Sequence, residues 1–157
     1  MIFRIATIND INDIRSIYAS VIGDKYCVWN DEYPDEEGLN NDINTDNLYV
    51  LEVNNEIVGT ISIVEENELD EYSVWSDDNA KEIARVAIKK KYHGYGYAKY
   101  LVGYALEQIQ KRGYSYVRLS VTDINIPAQK TYLRLKFNKV GEADMYGHHY
   151  LLLEKKL

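Results

Sequence analysis

The clearest chemical potential in this chain lies in one stretch near its middle. The apolar run Ile83-Ala84-Arg85-Val86-Ala87-Ile88 is followed by Lys89, Lys90 and Lys91, and then by His93-Gly94-Tyr95-Gly96-Tyr97-Ala98. An almost unbroken apolar run predicts a central strand. Ala98, Leu101, Val102, Ala105, Leu106 and Ile109 then follow the i, i+3, i+4, i+7 spacing of an amphipathic helix ending near Gly113. A strand that turns through glycines into a helix start gathers unpaired backbone N–H groups and the positive end of the helix dipole at one point. That arrangement binds anions, with Lys89, Lys90, Lys91 and Lys99 adding positive charge around it. The turn lacks the third glycine of a dinucleotide fingerprint and the Gly-Lys-Ser/Thr ending of a P-loop. Hydride transfer and nucleotide hydrolysis are therefore excluded as readings.

A second constellation follows in the chain: Asn125, Ala128, Tyr132 and Phe137. Together with Arg85-Val86-Ala87-Ile88 and His93-x-x-Gly96-x-Ala98, it resembles the GCN5-related N-acetyltransferases, whose cofactor loop reads Q/R-x-x-G-x-G/A. The resemblance spans nearly the whole chain. It implies an α/β fold built on a mixed central sheet of six to seven strands flanked by four helices, with two neighbouring strands splayed around a thioester. It also implies acetyl-CoA as co-substrate: backbone groups of Val86, Ala87 and Ile88 on the pantetheine arm, residues His93, Gly94, Tyr95, Gly96, Tyr97 and Ala98 with Lys99 on the pyrophosphate, and Asn125 as a further contact. Tyr132 stands where many relatives keep a tyrosine that protonates the departing thiolate. A phenol of pKa about 10 can donate to a thiolate whose acid has a pKa of about 8.5 only when held beside it.

An alkylamine acceptor must lose a proton before it attacks, at a cost of about 4–5 kcal/mol at neutral pH for a pKa of about 10.4. In relatives that modify protein N-termini a glutamate often stands five positions before the motif asparagine; here that place is Ser120. Glu82 is the preferred substitute, with Asp123 and a water relay as the other routes. The oxyanion falls to a backbone N–H near Val86, since a preorganised amide needs no particular side chain. Two further departures stand out. His93 replaces the usual Gln or Arg, and Lys136 replaces the glycine before the Phe, so either the helix end differs or a lysine adopts the left-handed conformation at about 1–2 kcal/mol. A non-catalytic acyl-CoA-binding domain of the same fold is the alternative.

For the acceptor, Trp29, Asp31, Glu32, Tyr33 and Trp75 combine aromatic faces with carboxylates, which suits a cationic primary amine, small or peptidic. Charge distribution points the same way. The net charge of −7 conceals a polarised chain: residues 23–80 carry 17 acids against Lys25 alone, whereas residues 81–157 carry 15 Lys/Arg against six acids. One half suits a polyanionic co-substrate and the other a cation. No metal is expected, because His148 and His149 are adjacent and point to opposite faces of a strand.

The elements that must position these groups follow from periodicity. Residues 2–6 predict a strand; Ile11, Ile14, Ile17, Tyr18 and Val21 predict a helix behind Asn9-Asp10. A loop and a short helix ending near Asp46 come next. Leu48–Val53 and Ile57–Val64 read as a hairpin about Asn54-Asn55-Glu56, and residues 65–80 as an acidic connector. Tyr116–Val121 is a strand, Pro127–Leu135 a helix, and Phe137–Val140 and His149–Leu153 two closing strands. At 157 residues with 46% hydrophobic and 27% charged residues, this is one globular domain, which the resemblance implies is an acetyltransferase domain over residues 1–157. The acidic balance argues against nucleic acid as a partner, and no apolar run approaches the length of a membrane span. With Cys27 the sole cysteine, a reducing cytoplasm fits best. Acetyl-CoA and an amine are the expected partners, with room for a homodimer.

Overall fold

The computed structural model describes residues 1–157. In chain order the elements are β1 (Ile2–Ile5), α1 (Ile11–Val21), α2 (Glu36–Asn44), β2 (Leu48–Val53), β3 (Glu56–Ile63), β4 (Ala80–Ile88), α3 (Tyr97–Lys111), β5 (Tyr116–Thr122), α4 (Ile126–Arg134), β6 (Asn138–Met145) and β7 (His148–Lys156). The strands form one mixed sheet in the order β1-β2-β3-β4-β5-β7-β6. Every neighbouring pair is antiparallel except β4 and β5, which run parallel.

Each face of the sheet carries helices, as expected. Leu101, Val102, Ala105, Leu106 and Ile109 of α3 pack with Ile61, Ile83, Val117 and Leu119 in the larger core. On the other face Ile14, Ile17 and Tyr18 of α1 meet Leu39 and Ile43 of α2 over Leu48, Val50 and Ile57. The apolar spacing of α1 and α3 thus does in the fold what it does in sequence. Turns follow from residue type as well. Asn54 and Asn55 both take positive φ (+50° and +63°), as a two-residue hairpin between right-twisted strands requires.

Several boundaries differ from expectation. β4 begins at Ala80, three residues earlier than its apolar run, because its first turn of residues includes the buried charges Lys81 and Glu82. β6 and β7 run far longer than their hydrophobic signal. β6 is an edge strand in which exposed and half-buried residues alternate from Glu142 to Met145, and the two apolar residues of that stretch, Ala143 and Met145, are too few to make a hydrophobic run. The hairpin closes instead through Tyr146 and Gly147, both at positive φ. Lys136 adopts φ +69°, so α4 ends with a left-handed lysine where a glycine would be unstrained.

The feature that matters most for function is a parting in the sheet. β4 and β5 pair only over Ala80–Glu82 and Tyr116–Arg118. Beyond that point β4 continues with β3, and β5 with β7, so the β5-facing edge of residues 83–88 has no strand partner.

Candidate active site

At the end of β4 the chain makes a short 3-10 turn (Lys90–Tyr92) and enters α3 through Gly94 and Gly96, at φ +89° and +79°. Gly96 is the N-cap and supplies no side-chain acceptor. From Gly94 through Lys99, no backbone N–H donates to any group in the chain. An unbroken run of free donors at the start of a 15-residue helix is the geometry that receives phosphate oxygens. The positive φ at both glycines excludes a side chain at low strain. This cradle fits the pyrophosphate of a coenzyme A thioester.

Two expectations about the cradle need correction. His93 does not face it: its N–H donates to Lys90 and its ring nitrogen bonds the Ile88 carbonyl at 2.7 Å, tying the loop back to the strand end. Nor do four lysines surround it. Lys89 and Lys91 pair with Glu56 at 3.2 and 3.0 Å, and Lys90 faces Asp24 at 3.7 Å. Only Lys99 among them has no carboxylate partner. Acidic residues of the first half reach the loop and neutralise it, which a charge count along the chain does not reveal. The Tyr92 hydroxyl, Lys91 and Lys89 together hold the Glu56 carboxyl down at about 2.

Inside the parting, β4 carries a bulge. Thr60 opposes Ala87 and Ser62 opposes Ala84, so Arg85 and Val86 together face Ile61. Arg85 takes φ +52°, a conformation an arginine holds only when its surroundings enforce it. The enforcement is visible. Its Nε and Nη2 reach both oxygens of the buried Asp42 at 2.8 and 3.0 Å, its Nη1 donates to the Tyr33 hydroxyl at 3.2 Å, and Ser62 donates to Asp42 at 2.7 Å. The ion pair therefore locks α2 onto the bulge and turns the Arg85–Val86 peptide out of ordinary strand geometry. Sequence reading used Arg85 only as a motif letter and passed over Asp42; a lone arginine in an apolar strand was the available signal.

Tyr132 of α4 is buried, edge-on to Phe137 at 5.5 Å. Its hydroxyl has no hydrogen-bond partner in the chain, and burial raises its pKa, keeping it protonated. Asn125 caps α4, its Oδ1 accepting from the Ala128 N–H at 3.3 Å. On the opposite face, Glu82 is 2% exposed, buried rather than at the surface of a strand end. Its two oxygens accept from the N–H groups of Leu69 at 2.6 Å and Glu68 at 3.0 Å. Burial raises its pKa and these two donors oppose the shift. Asp123 is exposed, and Ser120 is half-buried on β5.

The expected acceptor residues divide into two groups. Trp29 stands edge-on to Tyr18 (5.5 Å) and Tyr33 (6.3 Å), and Tyr33 continues to Arg85. Asp31 and Glu32 are exposed on the adjoining loop. Trp75 is not part of this set. It lies over Arg118, 5.0 Å from the guanidinium, beside a recess of about 470 Å³ lined by Asp70, Tyr72, Ser73, Asp78 and Arg118. Arg118 and Glu154, both buried, carried no signal in the sequence, since charges on alternating strand positions read as solvent-facing.

A mixed sheet parted at one parallel pair, a bulged strand beside the gap and a cradle of free amides at a helix start define the acyl-CoA N-acyltransferase class of fold. The sequence profile of the Acetyltransferase (GNAT) family matches residues 14–137, and the chain belongs to that family. Solved structures share the whole architecture. A GNAT-family acetyltransferase from Streptococcus agalactiae 2603 superposes with a TM-score of 0.81 at 20% identity, over 99% of this chain and 95% of that one. Ribosomal-protein-alanine N-acetyltransferase from Brucella melitensis gives 0.79 at 18% identity over 100% of both chains. The protein yncA from Salmonella typhimurium, solved with its cofactor acetyl-CoA, gives 0.75 at 16% identity over 99% of this chain and 93% of that one. In sequence, N-acetylaspartate synthetase from Danio rerio is 36% identical over 70 residues, covering 45% of this chain and 25% of that protein. The matched segment thus spans about a quarter of that relative. No helix is long and apolar enough to cross a membrane.

Proposed function

We propose that the protein moves the acetyl group of acetyl-CoA onto a primary amine by direct attack while both substrates are bound. The observation that carries this reading is the run of free N–H groups from Gly94 to Lys99 at the mouth of the β4–β5 parting. Acetyl-CoA supplies an activated acyl carbon; the chain's own residues bind it, position it and move protons. The amides of residues 94–99 and the Lys99 ammonium hold the pyrophosphate, and the unpaired edge of β4 at Val86, Ala87 and Ile88 takes the pantetheine arm in the manner of an added strand. The Ile88 carbonyl is already taken by His93, which leaves the other edge groups for that role. The rotated peptide at the bulge presents a backbone N–H near Val86 to the thioester oxygen, fixed in advance by the Arg85–Asp42 pair.

Glu82 serves as the base. It takes a proton from the attacking nitrogen, directly or through a water, and its burial raises its affinity for that proton. As the carbon–sulfur bond breaks and the carbon–nitrogen bond forms, the Tyr132 hydroxyl donates a proton to the leaving sulfur and is reprotonated from solvent. Tyr132 suits this step because its hydroxyl is protonated and otherwise unengaged. Trp29, Tyr33 and Glu32 wall the acceptor side, and their aromatic and acidic character supports a cationic amine. The lone Cys27, with no second thiol to pair with, supports a reducing, cytoplasmic setting.

The test is release of free thiol from acetyl-CoA in the presence of a panel of primary amines: alkyl diamines, amino acids including aspartate, and peptides with free N-termini. Aspartate is included because of the name of the similar synthetase. Amine-dependent release, with the acetylated amine found by mass spectrometry, is expected. Release no faster than background hydrolysis across the panel, in protein that binds coenzyme A, would overturn the amine reading.

A further inference from the structure

Three buried charged side chains lie side by side across three strands. Glu82 of β4 is in register with Arg118 of β5, and Arg118 with Glu154 of β7. They are 2%, 2% and 4% exposed. Charges buried this deeply destabilise a fold unless each is satisfied. No ion pair joins Arg118 to either glutamate. All three reach instead into the segment 64–79, the link between β3 and β4 that forms neither helix nor strand. Arg118 holds the Asp70 carboxylate and donates to the Asp77 carbonyl at 2.7 Å, and Glu154 accepts from the Ser76 N–H at 2.9 Å. The acidic link is thus a strap fastened along its length.

One residue of the strap is held on both sides. The Leu69 N–H donates to Glu82, and the Leu69 carbonyl accepts from the Trp75 indole at 2.7 Å. Trp75 in turn rests on the Arg118 guanidinium. A chain of contacts therefore runs from Arg118 through Trp75 and Leu69 to the carboxylate proposed above as the base.

We propose that Arg118 and Trp75 are positioning residues, which hold the strap so that the Leu69 and Glu68 amides stay on Glu82 and so set the pH at which that carboxylate accepts the acceptor's proton. This rests on Glu82 being the base. The charged groups facing Glu82 are Glu68 and Asp70 from the strap and Arg118 from β5, with Glu154 one strand further; on the β3 side its carbonyl accepts from the N–H of the uncharged Val64, the first residue of the strap. Burial and the two strap carboxylates favour the protonated form, and the two amide donors oppose them. Drawing the Leu69 and Glu68 amides away while the carboxyl stays covered removes the opposition, and the carboxyl's pKa rises. Neither Trp75 nor its hydrogen bond carries charge, so its effect is separable from the field of Arg118.

The experiment titrates the Glu82 carboxyl carbon by NMR in protein labelled at glutamate, assigned by its loss in Glu82→Gln. The variants are Trp75→Phe, Arg118→Lys and Arg118→Met, and the acid limb of kcat/KM is followed with an amine from the panel. An upward shift of about half to one pH unit is expected in all three, matched in the acid limb, since loss of hydrogen bonds to the charged form disfavours it. A shift in Arg118→Met alone would overturn the proposal, because charge and not the strap would then govern Glu82. No shift in any variant would overturn it equally. If instead the acid limb survives unchanged in Glu82→Gln, the reading of Glu82 as base fails, whatever the strap variants do. Trp75→Phe, a half-buried ring exchanged for a ring, keeps the test available should Arg118→Met not fold.

Discussion

The cradle at residues 94–99 and the strap at residues 64–79 handle charge in opposite ways. The cradle leaves backbone donors free and surrenders three of its four lysines to carboxylates. The strap instead ties buried side-chain charges to main-chain partners along its whole length. A site for a polyanion can be built from main-chain dipoles at one helix start, because the donors are local and need only glycines to expose them. A site that must tune one proton needs side chains from several strands held in a low-dielectric place.

The largest effect is expected at the point of chemistry. Tyr132→Phe is expected to lower kcat by roughly a hundredfold to ten-thousandfold, the range for loss of a general acid, with acetyl-CoA affinity little changed. An unaltered kcat would remove Tyr132 from proton transfer. Next in size is Asp42→Ala. It strands the Arg85 guanidinium, whose side chain is only 11% exposed, and should destabilise the fold by about 3–5 kcal/mol in denaturant unfolding. The residual activity of protein kept folded at low temperature reports how far the bulge depends on this pair. Smaller again is Gly96→Val, which places a β-branched residue at φ +79° and strains the turn that aims the amides. Weaker coenzyme A binding by about tenfold in calorimetry, with about 1–2 kcal/mol of strain, is the expected result. Lys99→Ala should weaken binding least, by a few-fold at low salt and less at high salt, because an exposed ammonium acts through a screened field.

The cradle was legible in the sequence because everything that makes it is contiguous: an apolar strand, two glycines, a helix with regular apolar spacing. The order of elements was legible for the same reason, down to the hairpin about Asn54-Asn55-Glu56, whose turn is two residues long because Glu56 already belongs to β3. His93 was misread because its partner, the Ile88 carbonyl, comes into range only when the 3-10 turn folds the loop back. The lysines were misread because Glu56 and Asp24 lie far away in sequence. Trp75 was grouped with Trp29 and Tyr33 by residue type, although the strap carries it onto Arg118 instead.

By itself the sequence determined the local geometry: which segments form strands and helices, which of their faces are apolar, and where glycines leave amide donors free, since each follows from side-chain periodicity and φ preference within a few residues. Tertiary structure alone decided which charges are buried and against what. Glu82, Arg118 and Glu154 stand in one row only because parallel and antiparallel pairing aligns three strands, and Arg85 meets Asp42 only because α2 packs against a bulge. The energy of a charge depends on the dielectric and partners around it, and strand register, set across the whole sheet, supplies both.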